Sequence, residues 1–241
     1  MSVPVTHEGW PQAHRIVSSR FPPIGVFDAV ADPADLEALY WVEGLTNPRL
    51  RVELGALDLV PPEEGLAGPG TTPIMAAFTH FNAGGSRFSD GRYGVYYAGR
   101  TRETAVAETV FHCGRWAAES HDPATIFTMR VYVGRLHRRP FHDLRGTYAR
   151  AHPGFFDPDP AHYAPAQAFA ADLRAGGSPG LLYPSVRHIG GECVAALRPS
   201  VLGPVKQGAH LAYHWDGRRI VDVIELRPMG VPGRPEPLRD P

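Results

Sequence analysis

The stretch from Ala83 to His112 constrains the fold more than any other part of this 241-residue chain. It opens with Ala83-Gly84-Gly85, continues through SRFSDGRYG, and runs as VYYAG into TRETAVAETVFH. Glycines supply turn angles that other residues resist, and Val-Tyr-Tyr suits a short pleated segment. Thr101 offers a hydroxyl to the first free amides of a helix, and Glu103 suits its positive end. The predicted order is therefore turn, strand, helix, with Val106, Val110 and Cys113 forming an apolar stripe. Glu108 falls on the margin of that stripe, one turn after Thr104 and one turn before Phe111 and His112.

The remaining patterning predicts a mixed architecture. Residues 15–31 carry Pro22-Pro23 and favour an extended lead-in, after which Asp32 or Asp35 caps a helix marked by Leu36, Leu39, Tyr40 and Leu45. Asn47-Pro48 stops it, and another short helix is expected from Pro48 to Gly55. Residues 61–73, with four prolines and three glycines, read as a loop. TIFTMRVYVG (125–134) is β-branched and aromatic, and HLAYHW followed by RIVDVIEL across Asp216-Gly217 reads as a hairpin. APAQAFAADLRAGG predicts a helix closed by Gly176, while LLYPS and ECVAAL supply two more strands. The expected fold class is α+β, a mixed or antiparallel β-sheet core flanked by helices. The expected division is an N-terminal helical extension over 1–75, a catalytic domain over 76–228 and a loose proline-rich tail over 229–241.

Charge and cysteine usage exclude several classes. The 24 basic and 25 acidic residues are spread evenly and leave a formal charge of -1, which gives no cationic field for nucleic acid or an anionic bilayer. No run approaches the roughly 20 apolar residues of a membrane span, and the N-terminus lacks the order of a signal peptide, so a cytoplasmic location is expected. Cys113 and Cys193 form no CxxC pair. No P-loop, GxGxxG, HExxH or GxSxG occurs, and His112, His121, His137, His142 and His152 share no metal-ligand spacing, so no metal is expected.

Arg87, Tyr96, Tyr97 and Glu108 are different, because the predicted turn, strand and helix must be neighbours in space. An arginine fork fits a pyrophosphate, a tyrosine face stacks on a nicotinamide ring, and a carboxylate stabilises a sugar cation, a combination that suits NAD+. The chemistry leaves two plainer readings open: a structural Arg87–Glu108 ion pair, and a strand with one tyrosine ring in the core.

SRFSDGRYGVYYAGRTRETAVAETVFH resembles the core of the RES domain, named for an arginine, a glutamate and a serine. Arg87, Tyr97 and Glu108 follow the family's spacing, and GLLYPSVRHIGGECVAAL resembles its later segment, which makes Ser185 the serine. The resemblance runs from about Arg15 to about Leu226, with Ser89 standing where compact members often carry Asn. It implies a fold like that of ADP-ribosyltransferases and a toxin of a bacterial toxin-antitoxin pair, partnered by a helix-turn-helix antitoxin. It further implies consumption of NAD+ by hydrolysis or phosphorolysis, or mono-ADP-ribosylation of a protein such as phosphoribosyl pyrophosphate synthetase. A non-catalytic nucleotide-binding module and assembly as a homodimer stay open. On this resemblance Glu108, Arg87 and Ser185 are the catalytic candidates, and Arg87, Tyr97, Ser185 and, more weakly, Arg15 would bind NAD+.

Overall fold

The computed structural model describes residues 3–20, 56, 59–80, 82, 84–227 and 229. Seven strands form one sheet in the order β1-β2-β5-β4-β3-β6-β7: β1 Val5–Ser18, β2 Tyr96–Gly99, β3 Thr125–Asp143, β4 Gly180–Pro184, β5 Glu192–Ala196, β6 Lys206–Trp215 and β7 Ile220–Leu226. β1 also pairs antiparallel with β3 from Val5↔His142 to Ser18↔Met129, so β1, β2, β5, β4 and β3 close on one another while β6 and β7 extend outward from β3. The β3–β4 pair is parallel and the other strand pairs are antiparallel. The helices are α1 Thr72–Thr79, α2 Arg102–Glu119, α3 Thr147–Ala151 and α4 Ala164–Ala175. The fold is α+β, as expected.

The turn, strand and helix of the 84–112 stretch form where their chemistry places them. Thr101 caps α2, its Oγ1 accepting from the Thr104 amide at 3.2 Å. Gly99 makes the junction possible: a Cβ there would lie 2.7 Å from Ala105 N and 2.9 Å from Thr101 O, so only glycine lets β2 end against the first turn of α2. Ala105, Val106, Val110 and Cys113 pack on Ile16, Met129, Val131, Leu211 and Tyr213 of the sheet. The opposite face of α2 is left to line a cavity. The Asp216-Gly217 hairpin forms as predicted, and Gly176 closes α4 with its amide donating to the Asp172 carbonyl.

Three expectations give way. Within the segment read as a helical extension, Val5–Ser18 is instead a strand of the sheet, because pairing with β3 satisfies a backbone whose side chains have no helical stripe. The segment read as a loop over 61–73 contains a 3-10 turn at Pro62–Glu64 and runs into α1. Pro73 there suits a helix's first turn, and Ile74, Met75 and Phe78 enter the core. β3 also runs nine residues past Gly134, since β1 continues to pair with it through Pro140. The helices expected between Asp32 and Gly55 lie outside the described residues, as does nearly all of the 229–241 tail.

Candidate active site

A cavity of about 1000 Å³ opens between β1, the turn before β2, α2 and the 159–167 segment. Its size lies at the upper end of pockets that enclose small organic ligands, enough for a dinucleotide. Arg15, Arg87, Tyr97 and Glu108 all line it. Of the two tyrosines, Tyr96 is fully buried in the core, so the plainer reading of that pair holds for Tyr96 alone. Tyr97 turns to the cavity because successive strand side chains alternate.

Glu108 sits mid-α2 with its carboxylate fixed from the sheet side. Ser185, just after β4, donates from Oγ to Glu108 Oε1 at 2.6 Å, and the Cys193 thiol approaches the same oxygen at 3.9 Å. Ser185 Oγ in turn accepts the amides of His188 at 2.9 Å and Arg187 at 3.2 Å, which orient the hydroxyl so that its proton points at the carboxylate. Ser185 is not among the cavity-lining residues and reaches Glu108 from the loop after β4. Burial raises the Cys193 thiol well above its ordinary value, and the Glu108 charge adds to this, so the thiol stays a neutral donor. Burial likewise raises the Tyr183 phenol. The carboxylate is therefore flanked by neutral groups, of which Tyr183 and Cys193 also line the cavity.

Arg87 is 8% exposed, and its guanidinium is bound to protein. Nη1 donates to the carbonyls of Phe155 and Asp157, both at 2.9 Å, and Nη2 to the Tyr163 hydroxyl at 3.0 Å. No Arg87–Glu108 ion pair exists: each group has other partners. Arg87 thus fixes the 155–163 wall of the cavity while presenting its charge there. The Tyr97 hydroxyl is held between Ser86 Oγ at 2.8 Å and the Phe88 amide at 3.0 Å, and burial raises its pKa, so the phenol stays neutral. Arg15 lies over the Tyr96 ring with 4.7 Å from its guanidinium carbon to the centroid, and donates from Nη1 to the Tyr97 carbonyl at 3.2 Å. Its Nε is buried, with no hydrogen-bond partner among the described residues.

Sequence reasoning missed Tyr163, Gln167 and Arg187. Gln167 donates to the Ser86 carbonyl at 2.9 Å, and Arg187 stacks on Phe111 and donates to the Pro158 carbonyl. None carries a local pattern; Tyr163 and Gln167 matter because the start of α4 returns to the cavity, and Arg187 because the 185–191 loop returns beside α2. Among the described residues no group of three or more His, Cys, Asp or Glu side chains is gathered to hold a metal ion, and no helix is long and apolar enough to cross a membrane.

With this geometry in place, the comparison with known families gives a class: residues 65–216 match the RES domain, and the chain belongs to that family. A relative, the uncharacterized protein y4oC of Sinorhizobium fredii (strain NBRC 101917 / NGR234), is 29% identical over 230 residues, covering 93% of this chain and 92% of the relative. Among solved structures, the M.tuberculosis MbcT-MbcA toxin-antitoxin complex contains a chain similar over 86% of both chains, with a TM-score of 0.46 and 10% identity.

Proposed function

We propose that this protein binds NAD+ and cleaves the bond between nicotinamide and its ribose, as the toxin of a bacterial toxin-antitoxin pair. The observation that carries the reading is the Glu108 carboxylate, held by Ser185 at 2.6 Å on the wall of a cavity of about 1000 Å³ that Arg15, Arg87 and Tyr97 also line. Membership of the RES family supports it.

Nicotinamide departs neutral from a cationic ring, so its departure calls for little proton donation, and positive charge develops on the ribose. A carboxylate already fixed beside that carbon favours the oxocarbenium-like transition state over the ground state. Glu108 takes this role, and Ser185 keeps its oxygen in place. Arg15 and Arg87, which both line the cavity, supply positive charge for the pyrophosphate, while the ring of Tyr97 packs against the nicotinamide side. Since the Tyr97 hydroxyl is engaged, its contribution is the ring face.

Incubation of the purified protein with NAD+, with and without inorganic phosphate, followed by mass spectrometry of the products, tests the reading. Free nicotinamide with ADP-ribose or its phosphorylated form is expected. Transfer of ADP-ribose to a protein with little bulk loss of NAD+ would mark a mono-ADP-ribosyltransferase. Binding of NAD+ without turnover would mark a regulatory module. In cells, expression alone is expected to arrest growth and lower NAD+, and co-expression with the neighbouring antitoxin gene to restore both.

A further inference from the structure

α2 presents a second chemical group to the cavity beside Glu108. His112 lies one helical turn further along and also lines the cavity. Side chains at i and i+4 share a face, with Cβ atoms about 5–6 Å apart. That separation leaves room for one small hydroxyl-bearing molecule between imidazole and carboxylate. Other histidines are engaged: His188 Nδ1 is 2.9 Å from Thr104 Oγ1, His142 Nδ1 is 2.8 Å from Ser178 Oγ, and His162 Nδ1 is 3.0 Å from Asp157. Among the described residues no group hydrogen-bonds either ring nitrogen of His112; its one ring contact is the edge of Phe111, with centroids 5.2 Å apart. The other histidine at the cavity, His14, sits by Arg102 and Glu103 at the opposite end of α2's first turns.

Resting on the proposed NAD+ cleavage, we propose that His112 is the general base that takes the proton of an acceptor water as it attacks C1′ of the ribose. The water oxygen bonds to C1′, and the C1′–N bond breaks with its electron pair passing to the pyridinium nitrogen. Nicotinamide leaves neutral, and the proton lost by the water passes to an imidazole nitrogen. Glu108 stabilises the cation and His112 activates the nucleophile, a division between two neighbouring groups that glycoside hydrolysis also uses.

The groups facing His112 are Glu108 and Arg115 on α2, Arg87 from the turn before β2, and Arg187 from the loop after β4. Although the ring opens onto the cavity, the surrounding protein lowers its pKa below the ordinary 6.5; Glu108 opposes this and the three arginines add to it. The imidazole is therefore neutral, as a base must be, at neutral pH.

The test compares wild type, His112→Gln and Glu108→Gln for NAD+ binding by calorimetry and for nicotinamide release between pH 5 and 9 in phosphate-free buffer. His112→Gln is expected to bind NAD+ within about threefold of wild type, to hydrolyse it about a hundredfold more slowly, and to lose the fall in rate at acid pH expected of wild type. Azide, which has no proton to lose, is expected to restore turnover in His112→Gln and not in Glu108→Gln. A His112→Gln rate and pH profile like those of wild type would overturn the assignment, as would a loss of binding that matches the loss of rate. His112→Asn, checked by its melting temperature, repeats the comparison if Gln upsets folding. Wild-type protein that cleaves NAD+ only when inorganic phosphate is added would overturn water as the acceptor, and wild-type protein that cleaves NAD+ neither with nor without phosphate would overturn the underlying reaction itself, before any variant is compared.

Discussion

Removing one hydroxyl, in Ser185→Ala, separates a residue that touches substrate from one that acts through Glu108. The hydroxyl donates a charge-assisted hydrogen bond of 2.6 Å to Glu108 Oε1 and accepts two backbone amides. A hydrogen bond to a charged group contributes about 1.5–3 kcal/mol, and each 1.36 kcal/mol on a barrier is about tenfold in rate. Water from the cavity can reach Glu108 and replace part of the loss, so the lower half of the range applies and kcat should fall about 10–50-fold. Because Ser185 is not among the cavity-lining residues, KM for NAD+ should change by less than about threefold. The Arg187 and His188 amides lose their acceptor on a half-buried loop, which costs about 1–2 kcal/mol and lowers Tm by a few degrees. Steady-state nicotinamide release gives kcat and KM, and scanning calorimetry gives Tm. Ser185→Thr, which keeps the hydroxyl, should recover most of the rate. A raised KM with unchanged kcat would show instead that Ser185 contacts NAD+, and an unchanged kcat with unchanged KM would show that the hydrogen bond does not serve catalysis.

Glu108→Gln keeps the side-chain shape and removes the charge, so NAD+ cleavage should fall about a hundredfold or more while Tm stays within a few degrees; wild-type turnover would make Glu108 structural. Arg87→Ala should raise KM and also destabilise by about 2–3 kcal/mol, or about 5–10 °C in Tm, because the Phe155 and Asp157 carbonyls and the Tyr163 hydroxyl lose their shared donor; an unchanged Tm would contradict that anchoring. Among the strands that close on one another, Arg145 pairs with Glu8 of β1 at 2.6 Å and with Asp143 of β3 and Glu192 of β5 at 2.8 Å. Burial alone would raise Glu8 and Asp143, yet their bonds to Arg145 outweigh it and hold both below their ordinary values of 4.5 and 3.8. Carboxylates depressed in the folded state contribute stability that is present above the unfolded values and lost as pH falls through the folded ones. Denaturant midpoints for wild type should therefore hold down to about pH 5 and then decline. Arg145→Met should be less stable at neutral pH, with part of that acid decline gone, since Asp90, Glu103, Asp157 and Asp216 are depressed by other partners; an identical pH profile would rule the cluster out as a source.

Much of the site was legible in the sequence because it is built from one continuous segment. The Gly-rich turn, the tyrosine strand and the Thr101-capped helix carry Arg87, Tyr97 and Glu108 at fixed spacings, and local geometry brings them to one place whatever the rest of the chain does. The α+β class followed in the same way, from alternating and β-branched runs and from the Asp216-Gly217 turn. Pairing was not legible. Nothing within Val5–Ser18 says that it will lie along β3, since strand pairing is decided by partners more than a hundred residues away. Side-chain partners were also decided at long range. That Ser185 donates to Glu108, that the Arg87 fork is shared with the Phe155 and Asp157 carbonyls, and that no described residue hydrogen-bonds the ring of His112 at the cavity all depend on which distant loop returns beside α2. Residue type and spacing determine which chemical groups can meet, because they act along a single stretch of backbone. Only the closed fold decides what each group hydrogen-bonds, because donors and acceptors remote in sequence compete for the same atoms once water is excluded.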